Sequence, residues 1–256
     1  MRESGILMHI TSLPAPYGIG TMGKDAYAFV DFLVRAGQRY WQILPLTPTG
    51  YGDSPYQSLG ACAGNHYLID LDRLADEGLL KKEEIQNIPW GSNPARVDFG
   101  AMYAHRMNVL RLAFQRFAPD KAYETFVEQN RSWLEDYALF MALKDTLGGK
   151  PWLDWPEALR LRKADALAEK RRELSEEIRL QFFAQYEFDK QWKALRSYAN
   201  AKGVRIIGDV PIYVPLDSAD VWANPELFQL DESRHPEQVA GCPPDSFTAD
   251  GQLWGN

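Results

Sequence analysis

The chain has 256 residues, 45% hydrophobic and 12% aromatic, enough to bury a sizeable core in one large domain or two small ones. Its net charge of −7 gives no sign of the basic face a nucleic-acid binder carries, and two cysteines, Cys62 and Cys242, exclude a disulfide framework and a CxxC metal site. No run approaches bilayer-spanning length and the opening MRESGILMHI lacks an apolar signal core, so no membrane partner is expected and the cytoplasm is the default.

In chain order, Gly5 to Ile10 (GILMHI) reads as a short buried strand, broken by Leu13-Pro14-Ala15-Pro16. Gly18-Ile19-Gly20-Thr21-Met22-Gly23 matches GxGxxG, the dinucleotide fingerprint. That motif requires the strand to feed directly into the first glycine and an acidic residue about 20 positions on. Here a proline-rich stretch intervenes and Tyr40 to Leu46 holds no acid, so the glycines are expected to serve a tight turn and a nicotinamide-dependent oxidoreductase is disfavoured. Asp25 to Ala36 is amphipathic, with Ala26, Phe29, Val30, Leu33 and Ala36 on one face and Gly37 as its stop. A second apolar run, Tyr40 to Leu44, follows at once. Strand, helix, strand implies a parallel pair, and such strands are expected to be buried on both faces.

The second strand runs into LPLTPTGYGDSPYQSLG, Leu44 to Gly60, which packs three prolines, three glycines, two tyrosines, two serines and an aspartate. This composition continues neither a strand nor a helix; it describes a rigid loop. Tyr51 and Tyr56 offer flat faces, and Asp53, Ser54 and Gln57 offer hydrogen-bonding groups, the mixture a sugar ring needs for its apolar face and hydroxyl rim. A solvated surface loop is the alternative reading.

From Leu68 to Leu80 the pattern is mixed, a short extended piece followed by a polar helix or turn. Met102 to Phe117 and Lys121 to Leu147 read as helices, the second with Phe126, Trp133, Tyr137 and Met141 on one side and Gly148-Gly149 at its end. Trp152 to Pro156 is a turn able to anchor two indoles. In Leu159 to Ala199, Phe188, Trp192, Leu195 and Ala199 recur at helical spacing, and the charge run Glu169 to Glu177 is a solvated face. Val204 to Val210 returns to strand character, with Asp209 near its end. A carboxylate at the end of a buried strand is costly without a partner or a task. After Val214 the chain reads as irregular, with Gln252 and Trp254 beside glycines in a second sugar-facing loop. His9, His66, His105 and His235 are scattered without metal-ligand spacing, and GxSxG is absent.

Four stretches, SGILMHITSLPAPYGIG, PLTPTGYGDSPYQS, GDVPIYV and PPDSFTADGQLWGN, resemble the 4-alpha-glucanotransferases called amylomaltases or disproportionating enzymes, in the family's order from Ser4 to Asn256. The resemblance implies an α/β fold: a partial (β/α)8 TIM barrel of the α-amylase-like type, about the first three strands, with a large helical insertion. Residues 1–66 would hold strands one and two with the substrate loop, 67–200 the insertion, and 201–256 strand three and the start of a loop subdomain. It implies transfer of α-1,4-glucan segments between maltodextrins by a retaining double displacement, with maltodextrin or another α-1,4-glucan as partner and no cofactor or metal. By resemblance Tyr56 stacks on the sugar at the cleavage point, Ser54 and Gln57 bond nearby with Tyr51 in the same loop, Asp209 supports the site without being the nucleophile, and Gln252 and Trp254 lie over the glucan. The nucleophilic and acid/base carboxylates of the family follow later strands, so they are expected beyond Asn256 and the 256-residue chain alone is expected to be inactive. A non-catalytic α-glucan-binding module is the alternative. Tyr51, Tyr56 and Asp209 are expected in one concave region at the C-terminal ends of adjacent strands.

Overall fold

The structure is a computed structural model that describes residues 2–50, 52–93 and 96–253. The chain forms two compact units, one of Met1–Pro48, Gly64–Gln129 and Phe182–Val210, the other of Thr49–Ala63, Asn130–Gln181 and Pro211–Asn256.

In the first unit, strand β1 (Gly5–Leu7), helix α1 (Lys24–Arg35) and strand β2 (Tyr40–Gln42) appear in the predicted order. Ala26, Val30 and Leu33 of α1 are fully buried, one stripe at helical spacing. Gly37 then takes a positive φ of 68°, a conformation that ends a helix at no cost only for a residue without Cβ. Strand β3 (Arg205–Ile207) completes a parallel sheet of order β1-β2-β3. Gly5 pairs with Tyr40 and Tyr40 with Arg205; Leu7 pairs with Gln42 and Gln42 with Ile207. Two further bonds, Met8 N–H to Gln42 C=O at 3.0 Å and Ile43 N–H to Ile207 C=O at 3.0 Å, carry the ladder one step beyond each strand.

The strands are shorter than the apolar runs suggest, and they are covered on one face, where burial on both is expected. Trp41 is sealed, with its indole N–H donating to Met8 C=O at 2.7 Å, and Ile6 and Ile206 flank it half-buried. On the opposite face Leu7 is 55% exposed and Ile207 43%, with Gln42 between them. At the start of that face Arg205 bonds Glu3 at 2.8 Å and the Tyr40 hydroxyl at 2.6 Å, a polar cluster where an apolar layer is expected.

The rest of this unit contains α2 (Leu71–Asp76), α3 (Lys82–Gln86) and α4 (Phe99–Arg116), together with residues of α5 (Lys121–Thr146) and α8 (Ser175–Ala201), helices that contribute to both units. Helix α4 starts where the Asp98 carboxylate accepts from Ala101 N–H at 3.0 Å, an N-cap. Two buried glutamines of α8 pin the segment 64–70. Gln185 exchanges bonds of 2.7 and 2.9 Å with the N–H and C=O of Gly64, and Gln191 exchanges bonds of 2.7 and 3.3 Å with those of Asp70. Each side-chain amide takes the place of a neighbouring strand.

The second unit is built on tryptophan. Phe140 of α5, Trp152 and Trp155 of the turn at 152–155, and Trp222 of α9 (Ala219–Ala223) are packed together, with Trp155 edge-on to Trp222 at 5.6 Å. Every indole N–H in this cluster has an acceptor: Leu216 C=O for Trp152 at 2.6 Å, Lys150 C=O for Trp155 at 3.1 Å and Leu159 C=O for Trp222 at 3.0 Å. Helices α6 (Glu157–Arg160) and α7 (Ala164–Glu173) follow the turn, and α7 exposes its charged residues as the charge run implies. The stretch after Val214 is more regular than expected. Helix α9 is capped by the Ser218 hydroxyl, and β4 (Gly241–Cys242) pairs antiparallel with β5 (Gln252–Leu253). Among the described residues, no helix is long and apolar enough to cross a membrane.

Candidate functional site

The loop after β2 is a closed hairpin of the second unit. Thr49 and Ser58 form an antiparallel bridge, and Gly50 N–H donates to Gln57 C=O at 2.7 Å. Within it, Gln57 N–H donates to Ser54 C=O at 3.1 Å and Tyr56 N–H to the Ser54 hydroxyl at 3.3 Å. Ser54 thus turns the backbone that presents Tyr56, a residue 44% exposed. Gln57 is also exposed. Asp53 holds a positive φ of 59°, and partial burial raises its carboxyl above the ordinary aspartate value. It sits in the turn, where its N–H donates to Gly50 C=O at 3.2 Å. Tyr51 lies outside the described residues.

Gln252 is an exposed residue of β5, opposite Cys242, at the base of the loop 243–251. That loop is tied by the Asp245 carboxylate, which accepts from Phe247 N–H at 2.8 Å and Thr248 N–H at 2.9 Å. Trp254 lies outside the described residues. Asp209 belongs to the first unit, two residues beyond β3. The strand end around it is exposed, so the desolvation cost expected of a buried carboxylate does not arise. One of its oxygens accepts from Val210 N–H at 2.8 Å.

The glycine motif is filled by the protein itself. Gly18 turns the chain at φ 78° against the Trp90 carbonyl. At Gly23, the N-cap of α1, a Cβ would fall 1.9 Å from an Asp70 carboxylate oxygen. The positive end of α1, where a dinucleotide would place its phosphates, already faces that carboxylate, which also accepts from Thr21 Oγ1 at 2.6 Å. A cavity of about 540 Å³ lies between loop 11–20 and the stretch around Trp90, Asn93 and Arg96; among the described residues, none of the predicted site residues lines it. Among the described residues, no cluster of His, Cys, Asp or Glu is arranged to hold a metal ion.

The motif reading passes over His9. It sits two residues beyond β1 in extended conformation, φ −69° and ψ 145°. Its Nδ1 is sealed from solvent without a hydrogen-bond partner, and burial pushes the imidazole down to about 4. The available signal is the period-two count from Leu7, which places His9 on the exposed face of the sheet.

Parallel strands joined through helices define an α/β protein. Comparison with known proteins narrows this. The model of the 4-alpha-glucanotransferase family matches residues 8–256. The 4-alpha-glucanotransferase of Thermus thermophilus is 52% identical over 261 residues, covering 100% of this chain and 51% of its own, and that of Clostridium butyricum is 49% identical over 252 residues, covering 97% and 52%. The amylomaltase of Streptococcus agalactiae, solved in complex with acarbose, superposes with a TM-score of 0.96 at 50% identity over 100% of this chain and 52% of its own. The amylomaltase of Corynebacterium glutamicum, at 19% identity and TM-score 0.72 over 99% of this chain and 36% of its own, shares the fold. The chain belongs to the 4-alpha-glucanotransferase family, a family of enzymes, and its fold is a partial α-amylase-like (β/α)8 barrel with a helical insertion. It spans about half the length of the curated relatives it matches.

Proposed function

We propose that the protein transfers α-1,4-glucan segments between maltodextrins in the cytoplasm, and that this chain supplies glucan-binding loops for the reaction. The observation that carries the reading is the family match over 8–256, which includes a hairpin that holds the Tyr56 ring exposed. In this reading Tyr56 stacks on a sugar, with Tyr51, Ser54 and Gln57 beside it. Gln252 and Trp254 cover the glucan, and Asp209 supports the site. Residues 1–66 and 201–256 are the barrel part and 67–200 the insertion.

A retaining transfer needs two carboxyl groups about 5–5.5 Å apart, one as nucleophile and one as acid/base. The reading gives Asp209 neither role. The 256-residue chain is therefore expected to bind maltoheptaose or acarbose without converting maltotriose to glucose and longer maltodextrins. Calorimetric titration checks the first part, with Tyr56→Ala expected to weaken binding by about 2- to 13-fold, the range of an aromatic stacking contact of about 0.5–1.5 kcal/mol. Absence of binding by the wild-type chain overturns the reading. Turnover of maltotriose that is lost in Asp209→Asn overturns the role given to Asp209 and places the reacting carboxylates within these residues.

A further inference from the structure

The exposed face of the β1-β2-β3 sheet is organised in rows. The first row is Gly5, Tyr40 and Arg205, and the second is Leu7, Gln42 and Ile207. The bonds from Met8 to Gln42 and from Ile43 to Ile207 carry the register past the strands. Side chains alternate with a period of two, so the next row on the same face is His9, Leu44 and Asp209. We infer that His9 is a glucan-binding residue, an uncharged Nε2–H donor facing Asp209 across the floor made by Leu44, with the two holding hydroxyls on opposite sides of one pyranose ring. This deepens the function proposed above and rests on it.

Two observations point the imidazole toward a ligand. Its Nδ1 is sealed and without a partner, whereas Nε2 is not sealed, and no described side chain bonds either nitrogen. An unbonded buried N–H is costlier than an unbonded lone pair, so the proton belongs on Nε2, the nitrogen that remains accessible. Protonation would place a second N–H at the sealed position, which is why the ring stays neutral down to about pH 4. A neutral donor suits an uncharged sugar, because no charge has to be desolvated when the sugar binds. The second observation is spacing. Strands two places apart in a sheet are separated by about 9–10 Å, a gap that a sugar ring fills once a hydrogen bond of about 2.8 Å is added at each side.

The test is titration of the 256-residue chain with maltoheptaose for wild type, His9→Leu, His9→Gln and Tyr56→Ala, with a thermal melt as the control for folding. His9→Leu is expected to weaken binding by about 3- to 10-fold, the range of one neutral hydrogen bond, and His9→Gln, which keeps an uncharged N–H, to recover most of the loss. In the wild type, the ring ¹⁵N signals of His9 are expected to show the Nε2–H tautomer and to move on addition of maltoheptaose, a readout that needs no variant to fold. Wild-type affinity in His9→Leu, or ring signals that do not respond to bound glucan, overturns the inference while leaving the function standing. Failure of the wild type to bind glucan overturns both.

Discussion

Among single residues, the buried histidine His66 has a consequence that can be measured without knowing any substrate. Burial, reinforced by the positive charge of Arg106, pushes its imidazole down to about 3. In the unfolded chain it titrates near its ordinary 6.5, so between those values the unfolded state binds a proton that the folded state refuses. Stability is therefore flat above about pH 6.5 and falls as the pH drops below it, by about 1.4 kcal/mol per pH unit from this residue. Unfolding free energies from urea titration at pH 7.5 and 5.0 are expected to differ by about 2 kcal/mol more in the wild type than in His66→Gln, which cannot titrate. Equal differences in the two proteins would show that His66 is not held neutral. Nothing in the one-dimensional pattern sets His66 apart from His105, because burial of a polar residue is decided by elements distant in sequence. His9 was more legible: strand alternation alone places it on a face, although its sealed Nδ1 depends on packing. Asp209 lies two residues beyond a strand, as its run implies, and Tyr56 sits in a loop closed as a hairpin, whereas Gln252 belongs to a short strand where an irregular loop is expected.

At the scale of elements, long amphipathic segments are readable and short tied ones are not. Helices α1, α4 and α5 fall within a few residues of their predicted bounds because each repeats its buried stripe over several turns, whereas the stretch Leu159 to Ala199 divides into α6, α7 and α8, with the predicted aromatic stripe in the last. Helix α9 and the β4–β5 hairpin escape notice because five residues and two-residue strands develop no period; a Ser218 cap and a cross-strand pair hold them instead. The segment 64–70 shows the same principle. It has no strand partner, and its backbone groups at Gly64 and Asp70 are satisfied by Gln185 and Gln191, residues that by composition look like ordinary polar positions of a helix. Replacing Gln185 by leucine removes two bonds and leaves a buried N–H and C=O unpaired, a cost of about 2–4 kcal/mol. Chemical denaturation is expected to show that loss for Gln185→Leu and a change within about 0.5 kcal/mol for Arg179→Ala on the exposed part of the same helix. A neutral Gln185→Leu would mean that the α8 amides do not bear on the stability of this segment.

For the whole molecule, the sheet decides how the 256-residue chain behaves in solution. Among the described residues β1 and β3 are the outer strands of a three-stranded parallel sheet, and each leaves a line of backbone N–H and C=O groups unpaired along one side. The same sheet carries Leu7 and Ile207 on its exposed face, and the chain beyond β3 continues with Val210 at 72% and Ile212 at 85% exposure. An edge with open hydrogen-bonding groups next to apolar side chains is a template for pairing with another copy. The devices that blunt such edges are sparse here. Arg205 supplies one inward charge, but it is occupied by Glu3 and Tyr40 at the first row and protects neither Leu7 nor Ile207. The net charge of −7 opposes association only while it is unscreened. The purified chain is therefore expected to self-associate with rising concentration, and more strongly in about 0.5 M salt than in about 0.05 M, where the Debye length is several-fold longer. Light scattering on gel-filtered protein measures this directly. The double change Leu7→Glu with Ile207→Lys places opposite charges on the exposed face, removes its apolar surface and leaves the strand backbones intact. It is expected to shift the protein toward monomer. A wild-type chain that remains monomeric at high concentration and high salt, with a sharp and reversible melt, would show that these edges are quiet. A double variant that associates as strongly as the wild type would move the cause away from this face, to the apolar residues 210–213 or to the exposed hairpin that ends in Leu253.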